Sequence, residues 1–160
     1  MSDNALATLT ILTALGCGLV GGVFFAFSTF VMQALGRLPA AQGVAAMQAI
    51  NVAAPAPPFM AALFSTALGC IVVVVDSVSK REGLESILPL AGGMIYLVGT
   101  VVVTMAFNVP RNDALAQVDP LGAGAEGSWH RYLAEWTVWN HIRTGTSLTA
   151  AVLLAIAACR

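Results

Sequence analysis

Trp129–Cys159, WHRYLAEWTVWNHIRTGTSLTAAVLLAIAAC, opens as an aromatic, charged segment and closes as a plain apolar run, with no proline to interrupt it. At 100° per residue, Trp136, Asn140, Arg143, Thr144 and Ser147 stand at i, i+4, i+7, i+8 and i+11 and share one helical face. The other faces of its second half carry Leu, Val, Ile and Ala. A polar stripe with an arginine in it thus enters what reads as a membrane helix. A guanidinium unpaired in hydrocarbon costs about 3 kcal/mol or more. Polar groups from other helices are therefore expected opposite the stripe.

The rest of the chain has the composition to supply those helices. Of 160 residues 58% are hydrophobic and 9% charged, against about 25% charged in a soluble domain. Uncharged runs cover Asn4–Gly36, Leu38–Val75, Ile87–Pro110 and Thr144–Cys159. Crossing the hydrocarbon takes about 20 helical residues, so the last run, with 16, must be extended back across Arg143 and Asn140. The expectation is an all-α fold: a four-transmembrane-helix bundle in a single integral membrane domain over 1–160, with the lipid bilayer as its partner. Its spans are placed at about 5–35, 59–78, 84–107 and 137–159. A net charge of −1 with no basic cluster excludes nucleic acid as a partner. Cys17, Cys70 and Cys159 are isolated in apolar runs with no CxxC, which makes them small buried residues, not a thiol enzyme or zinc site.

Along the chain, MSDN lacks a basic leader region and offers Asp3 or Asn4 as a helix cap. Gly18 and Gly22, at i, i+4, predict a close helix–helix approach, and Gly92, Gly93 and Gly99 permit one on the third span. Phe24, Phe27 and Ser28 form an aromatic stripe. Pro39 starts a short, weakly apolar helix over about 39–52, expected at the membrane interface or tucked over the bundle. The third span is expected to end at FNVPRND, because Pro110 disfavours helix at Val109, leaving a polar loop over 109–128. No internal repeat is read.

In a four-span bundle, the end of the first span, the start of the second, the end of the third and the start of the fourth share one side. That side gathers Gln33, Arg37, Gln48, Asn51, Asn108, Arg111, Asn112, Trp136, Trp139, Asn140, His141 and Arg143. The Lys80–Arg81 pair and Arg160 favour the cytoplasm for the opposite side. His130 and His141 stand about 16 Å apart along one helix at 1.5 Å per residue and cannot ligate one metal. No Glu-x-x-His pair is present either, so no metal site is assigned.

GGVFFAFS (21–28), MQAIN (47–51), FNVPRND (107–113) and WTVWNHIRT (136–144) together resemble the anthrone oxygenase-like family of small four-helix membrane proteins, in the family's order and spacing. Most members are uncharacterised and bacterial, which implies a bacterial plasma-membrane location. The named members oxidise anthrones to anthraquinones with O2, without metal or organic cofactor. By motif, the resemblance points to Asn51, Asn108, Pro110, Asn112, Trp139, Asn140 and Arg143. It implies a flat apolar aromatic substrate sandwiched by Phe24, Phe27, Trp136 and Trp139, with Asn51 and Asn112 beside them. Arg143 with Asn140 or Asn108 would hold the anionic oxygen, and His141 or a bound water would take the proton.

Other functions fit the same residues. A non-catalytic membrane protein could hold a lipid or quinone in the same pocket. A proton-coupled transporter would lean on Asp76, and a metal or haem redox protein on a single histidine. Self-association is left open by the sequence.

Overall fold

The computed structural model describes residues 3–80 and 86–159. Arg81, Arg160 and Leu84, on which the expected orientation and the start of the third span rest, lie outside the described residues, as do the side chains of Asp3 and Lys80. The described chain is helical apart from short connections and contains no strand. We number the helices α1 (Asn4–Leu35), α2 (Ala40–Ala53), α3 (Pro57–Lys80), α4 (Ile87–Ala116) and α5 (Ala125–Ala158). All but α2 are long and apolar enough to cross a membrane. Pro57 and Pro58 fall in the first turn of α3, where a missing N–H leaves no hydrogen bond unmade.

The bundle is built around α5, which packs chiefly on α1 and α4, while α3 closes the group against both. Trp129, Trp136, Arg143 and Ala150 recur at seven-residue intervals along α5, as do Asn140, Ser147 and Leu154, and all are buried. Such a repeat keeps one seam of a helix against its neighbours over its whole length. Two cores form along it. Cys17, Val20, Phe24, Cys70, Val73, Tyr96 and Leu154 fill the first, and Met32, Val44, Met47, Leu115, Trp129, Tyr132 and Trp136 fill the second at the other end.

Proline does not end the third span as expected. Helix α4 runs through Pro110 to Ala116, so the connection to α5 shrinks from 109–128 to 117–124. The turn over Thr104–Asn108 is widened, and the Val109 N–H reaches back to the Thr104 carbonyl. A widened turn moves the backbone away from the usual four-residue hydrogen bond, and that relieves the clash a proline ring makes within a regular helix. Similar wide turns occupy Leu97–Val102 in α4 and Phe27–Val31 in α1.

Helix α2 caps the second core. Gly43, Val44 and Met47 are its buried face, and a Cβ at Gly43 would strike the Trp129 indole. Of the glycines expected to allow a close approach, Gly93 and Gly99 do, since a Cβ there would strike Val74 and Thr146. Gly18 and Gly22 do not: nothing comes within 4 Å of a Cβ at Gly22, and only Ala151 reaches 4.0 Å from one at Gly18. Between α1 and α3 the close approach falls at Gly16 and Gly69. A Cβ at Gly16 would meet Thr66, and a Cβ at Gly69 would meet Thr13. These glycines belong to a pentapeptide, TALGC, that occurs at 13–17 and again at 66–70. The chain therefore does hold a short internal repeat, contrary to expectation.

Candidate functional site

The stripe on α5 faces inward and meets polar groups from α1 and α4. Asn140 is 0% exposed, Asn108 1% and Arg143 5%. The Asn140 amide Nδ2 donates to the Phe24 carbonyl at 2.7 Å and to the Ser28 hydroxyl at 2.8 Å. Its Oδ1 accepts from Arg143 Nη2 at 2.7 Å. Ser28 Oγ lies 3.1 Å from Thr144 Oγ1, which donates to the Asn140 carbonyl at 2.9 Å. The hydroxyls thus form a closed ring that starts and ends on Asn140. The wide turn in α1, Phe27–Val31, presents Ser28 to this ring.

Arg143 is held from three sides. Nη1 donates to Thr104 Oγ1 at 3.3 Å, from the second wide turn of α4. The guanidinium carbon stands 4.2 Å from the centre of the Phe24 ring and 5.1 Å from that of Trp136. Ring faces attract a cation, worth about 2 kcal/mol when desolvated, so the pocket offsets part of the burial. Among the described residues, however, no carboxylate pairs with it; Glu135 pairs with Arg111 at 3.0 Å, and Glu126 faces His130 at 3.9 Å. The cluster is a buried positive charge supported by neutral dipoles.

Three buried polar atoms in this region lack a partner among the described residues: Arg143 Nε, Trp136 Nε1 and Asn108 Oδ1. Asn108 is otherwise anchored, its Nδ2 donating to the Trp136 carbonyl at 3.2 Å. Each unsatisfied buried group costs about 1–3 kcal/mol. Two donors, one of them on the cation itself, and one acceptor are therefore left over.

A second polar layer lies toward α2. Tyr132 donates to Asn112 Oδ1 at 2.8 Å, and the Asn51 amide reaches the Tyr132 hydroxyl at 3.5 Å. Gln48 donates to the Leu115 and Val118 carbonyls, both at 2.9 Å, and so ties α2 to the end of α4. Trp129, Tyr132 and Trp136 stack in a column with successive ring separations of 5.9 and 6.0 Å, and Phe27 lies 5.8 Å from Trp136. This column runs from beneath α2 down to Arg143.

The structure thus brings together Arg143, Asn140, Asn108, Trp136 and Phe24, with Phe27 at their edge and Asn51 and Asn112 one layer away. It does not bring in His141, which is exposed; one residue beyond Asn140 turns the side chain 100° away from the seam. Trp139 also faces outward, half-buried, stacked on Phe107 with ring centres 3.5 Å apart and with Arg111 5.9 Å from its ring. Thr104, Thr100 and Tyr132 were missed. Thr100, Thr104 and Asn108 are spaced i, i+4, i+8, a polar stripe on α4 that periodicity could have found. Among the described residues no three of His, Cys, Asp and Glu gather in a way that would hold a metal. An apolar groove of about 690 Å³ lies elsewhere, between α1 and α5 from Ile11 to Cys159.

The family profile described as anthrone oxygenase matches residues 46–153. The chain belongs to the anthrone oxygenase family. The match takes in MQAIN, FNVPRND and WTVWNHIRT, and with them Asn108, Asn140 and Arg143; GGVFFAFS lies ahead of it. No curated protein and no solved structure matches the chain.

Proposed function

We propose that this anthrone oxygenase family member is a membrane-embedded oxygenase that oxidises a flat, apolar, anthrone- or phenol-like substrate with O2 and without an organic cofactor. The observation that carries this reading is the buried Arg143 guanidinium, which has no carboxylate partner among the described residues and one N–H unused. A charge kept that way is complementary to an anion that arrives or develops later. Removal of a proton from the CH2 of an anthrone creates such an anion, with its negative charge on the carbonyl oxygen. Pairing that oxygen with Arg143, and with the unused Trp136 Nε1, stabilises the anion and so acidifies the CH2. Water then suffices as the base that His141 is too remote to be.

The remaining chemistry balances without further protein groups. The anion passes one electron to O2, the resulting carbon radical and superoxide combine, and protonation gives a hydroperoxide. Loss of water leaves the quinone carbonyl: CH2 and O2 become C=O and H2O. In many enzymes most of the rate enhancement comes from fixed dipoles and charges aimed at developing charge. The Phe27, Trp136 and Tyr132 rings offer flat apolar contact to the substrate. In this reading α2 lies at the membrane interface as a cover, and the protein resides in the bacterial plasma membrane.

The test is oxygen uptake and quinone formation by the purified protein in lipid nanodiscs with anthrone, compared with Arg143→Met. Loss of one oxyanion donor of this kind lowers turnover about 10²–10³-fold. Equal rates for the two proteins would end the proposal. A ligand that binds and never consumes O2 would instead support a lipid- or quinone-binding role.

A further inference from the structure

The two TALGC segments meet face to face. Thr13 sits against Gly69, and Thr66 sits against Gly16. As one chain number rises the other falls, so α1 and α3 cross antiparallel. Exchanging 13–17 for 66–70 converts one contact into the other. A local two-fold relation of this kind makes the fifth residues of the two copies equivalent positions, and their contact is a separate observation. Those residues are Cys17 and Cys70. Their sulfurs are 4.0 Å apart, and both side chains are 0% exposed.

We propose that Cys17 and Cys70 form a redox-active dithiol, which hydrogen peroxide converts to an intramolecular disulfide joining α1 to α3. The glycine before each cysteine lets the two backbones approach closely, which a disulfide requires, since its Cα atoms must lie within about 7 Å. The first thiol sulfur attacks the peroxide O–O bond, forming a sulfenic acid and releasing water. The second thiol sulfur displaces hydroxide from that sulfur, and its own proton leaves with the hydroxide as a second water. Two thiols and one peroxide thus give one disulfide and two waters. The second step has a neighbour already in place in a dry site, with no competing nucleophile. The product carries no charge and no hydrogen-bonding group, so the apolar core accepts it, whereas a sulfinate there would be an unpaired buried anion. This inference does not depend on the proposed oxygenase activity.

The full chain in nanodiscs serves for the test. It is treated with hydrogen peroxide, quenched, unfolded in detergent, labelled with a maleimide and weighed by intact mass spectrometry. Cys159, exposed and not buried as its apolar run predicts, because it lies just past the last turn of α5, is the internal standard. The expected result is a monomer that takes up one maleimide after peroxide and three after peroxide followed by dithiothreitol. In Cys70→Ser, peroxide should no longer protect Cys17 as a disulfide recoverable by dithiothreitol with unchanged mass. Three labels on the treated wild type, or oxygen atoms added irreversibly at Cys17 or Cys70, would overturn the proposal.

Discussion

Arg143 Nη2 donates to Asn140 Oδ1 at 2.7 Å, while the Asn140 Nδ2 is committed to the Phe24 carbonyl and the Ser28 hydroxyl. The amide therefore cannot turn over without breaking three bonds. One helix turn holds both residues, and Asn140 relays to Arg143 the position of the α1 backbone. The orientation of the cation is set by a neutral group, which leaves its charge uncompensated among the described residues.

An uncompensated buried charge should weaken the fold. Replacing buried ionic groups by apolar side chains of similar volume is often neutral or stabilising by about 1–4 kcal/mol. We expect Arg143→Met to unfold at the same temperature as the wild type or higher, while losing activity. Thermal unfolding followed by circular dichroism in nanodiscs checks this. A much lower midpoint would make Arg143 a structural residue.

Supplying the missing counter-charge should silence the site by another route. Asn140→Asp places a carboxylate where the amide oxygen meets Arg143. An opposite charge at this range forms a strong ion pair in a low-dielectric setting. Binding of a phenolate ligand, read by quenching of tryptophan fluorescence, is expected to weaken about 10-fold or more, equivalent to about 1.4 kcal/mol. Unchanged affinity would show that Arg143 does not bind the anion.

His141 should be dispensable. It is exposed and turned about 100° around α5 from Asn140. His141→Ala is expected to stay within about 2-fold of wild-type turnover, since exposed substitutions away from packed features change stability by only about 0.5 kcal/mol. Steady-state oxygen uptake is the measurement, and a loss of turnover of about 100-fold with the fold intact would restore His141 as the base.

The seat of Trp129 makes α2 sensitive to a single methyl group. A Cβ at Gly43 would meet Trp129 atoms at 2.5–2.7 Å, and overpacking of a tight core costs about 1–3 kcal/mol. Gly43→Ala is expected to lower the unfolding temperature and shift tryptophan emission to longer wavelength as the indole is displaced. Wild-type emission and stability would show that α2 does not clamp this side chain.

The inward stripe of α5 was legible because a helix in lipid has few reasons to carry Asn140, Arg143, Thr144 and Ser147 on one side. Their partners on α4 were equally regular, yet threonines at 100 and 104 are ordinary in a membrane helix until something needs their hydroxyls. The passage of α4 through Pro110 was not legible. Local rules for proline favour a break, and only a widened turn, stabilised by packing against α5, removes the clash. His141 shows the opposite error: sharing a motif with Asn140 and Arg143 does not place a side chain on their face.

Composition and periodicity by themselves determined the helices, the number of spans and the polar seam, because each is a property of one segment and its solvent. Tertiary structure alone decided which asparagine holds the arginine, that no carboxylate among the described residues balances it, and that Cys17 lies against Cys70. These depend on the rotation and depth of one helix against another, which arise from packing between segments distant in the chain.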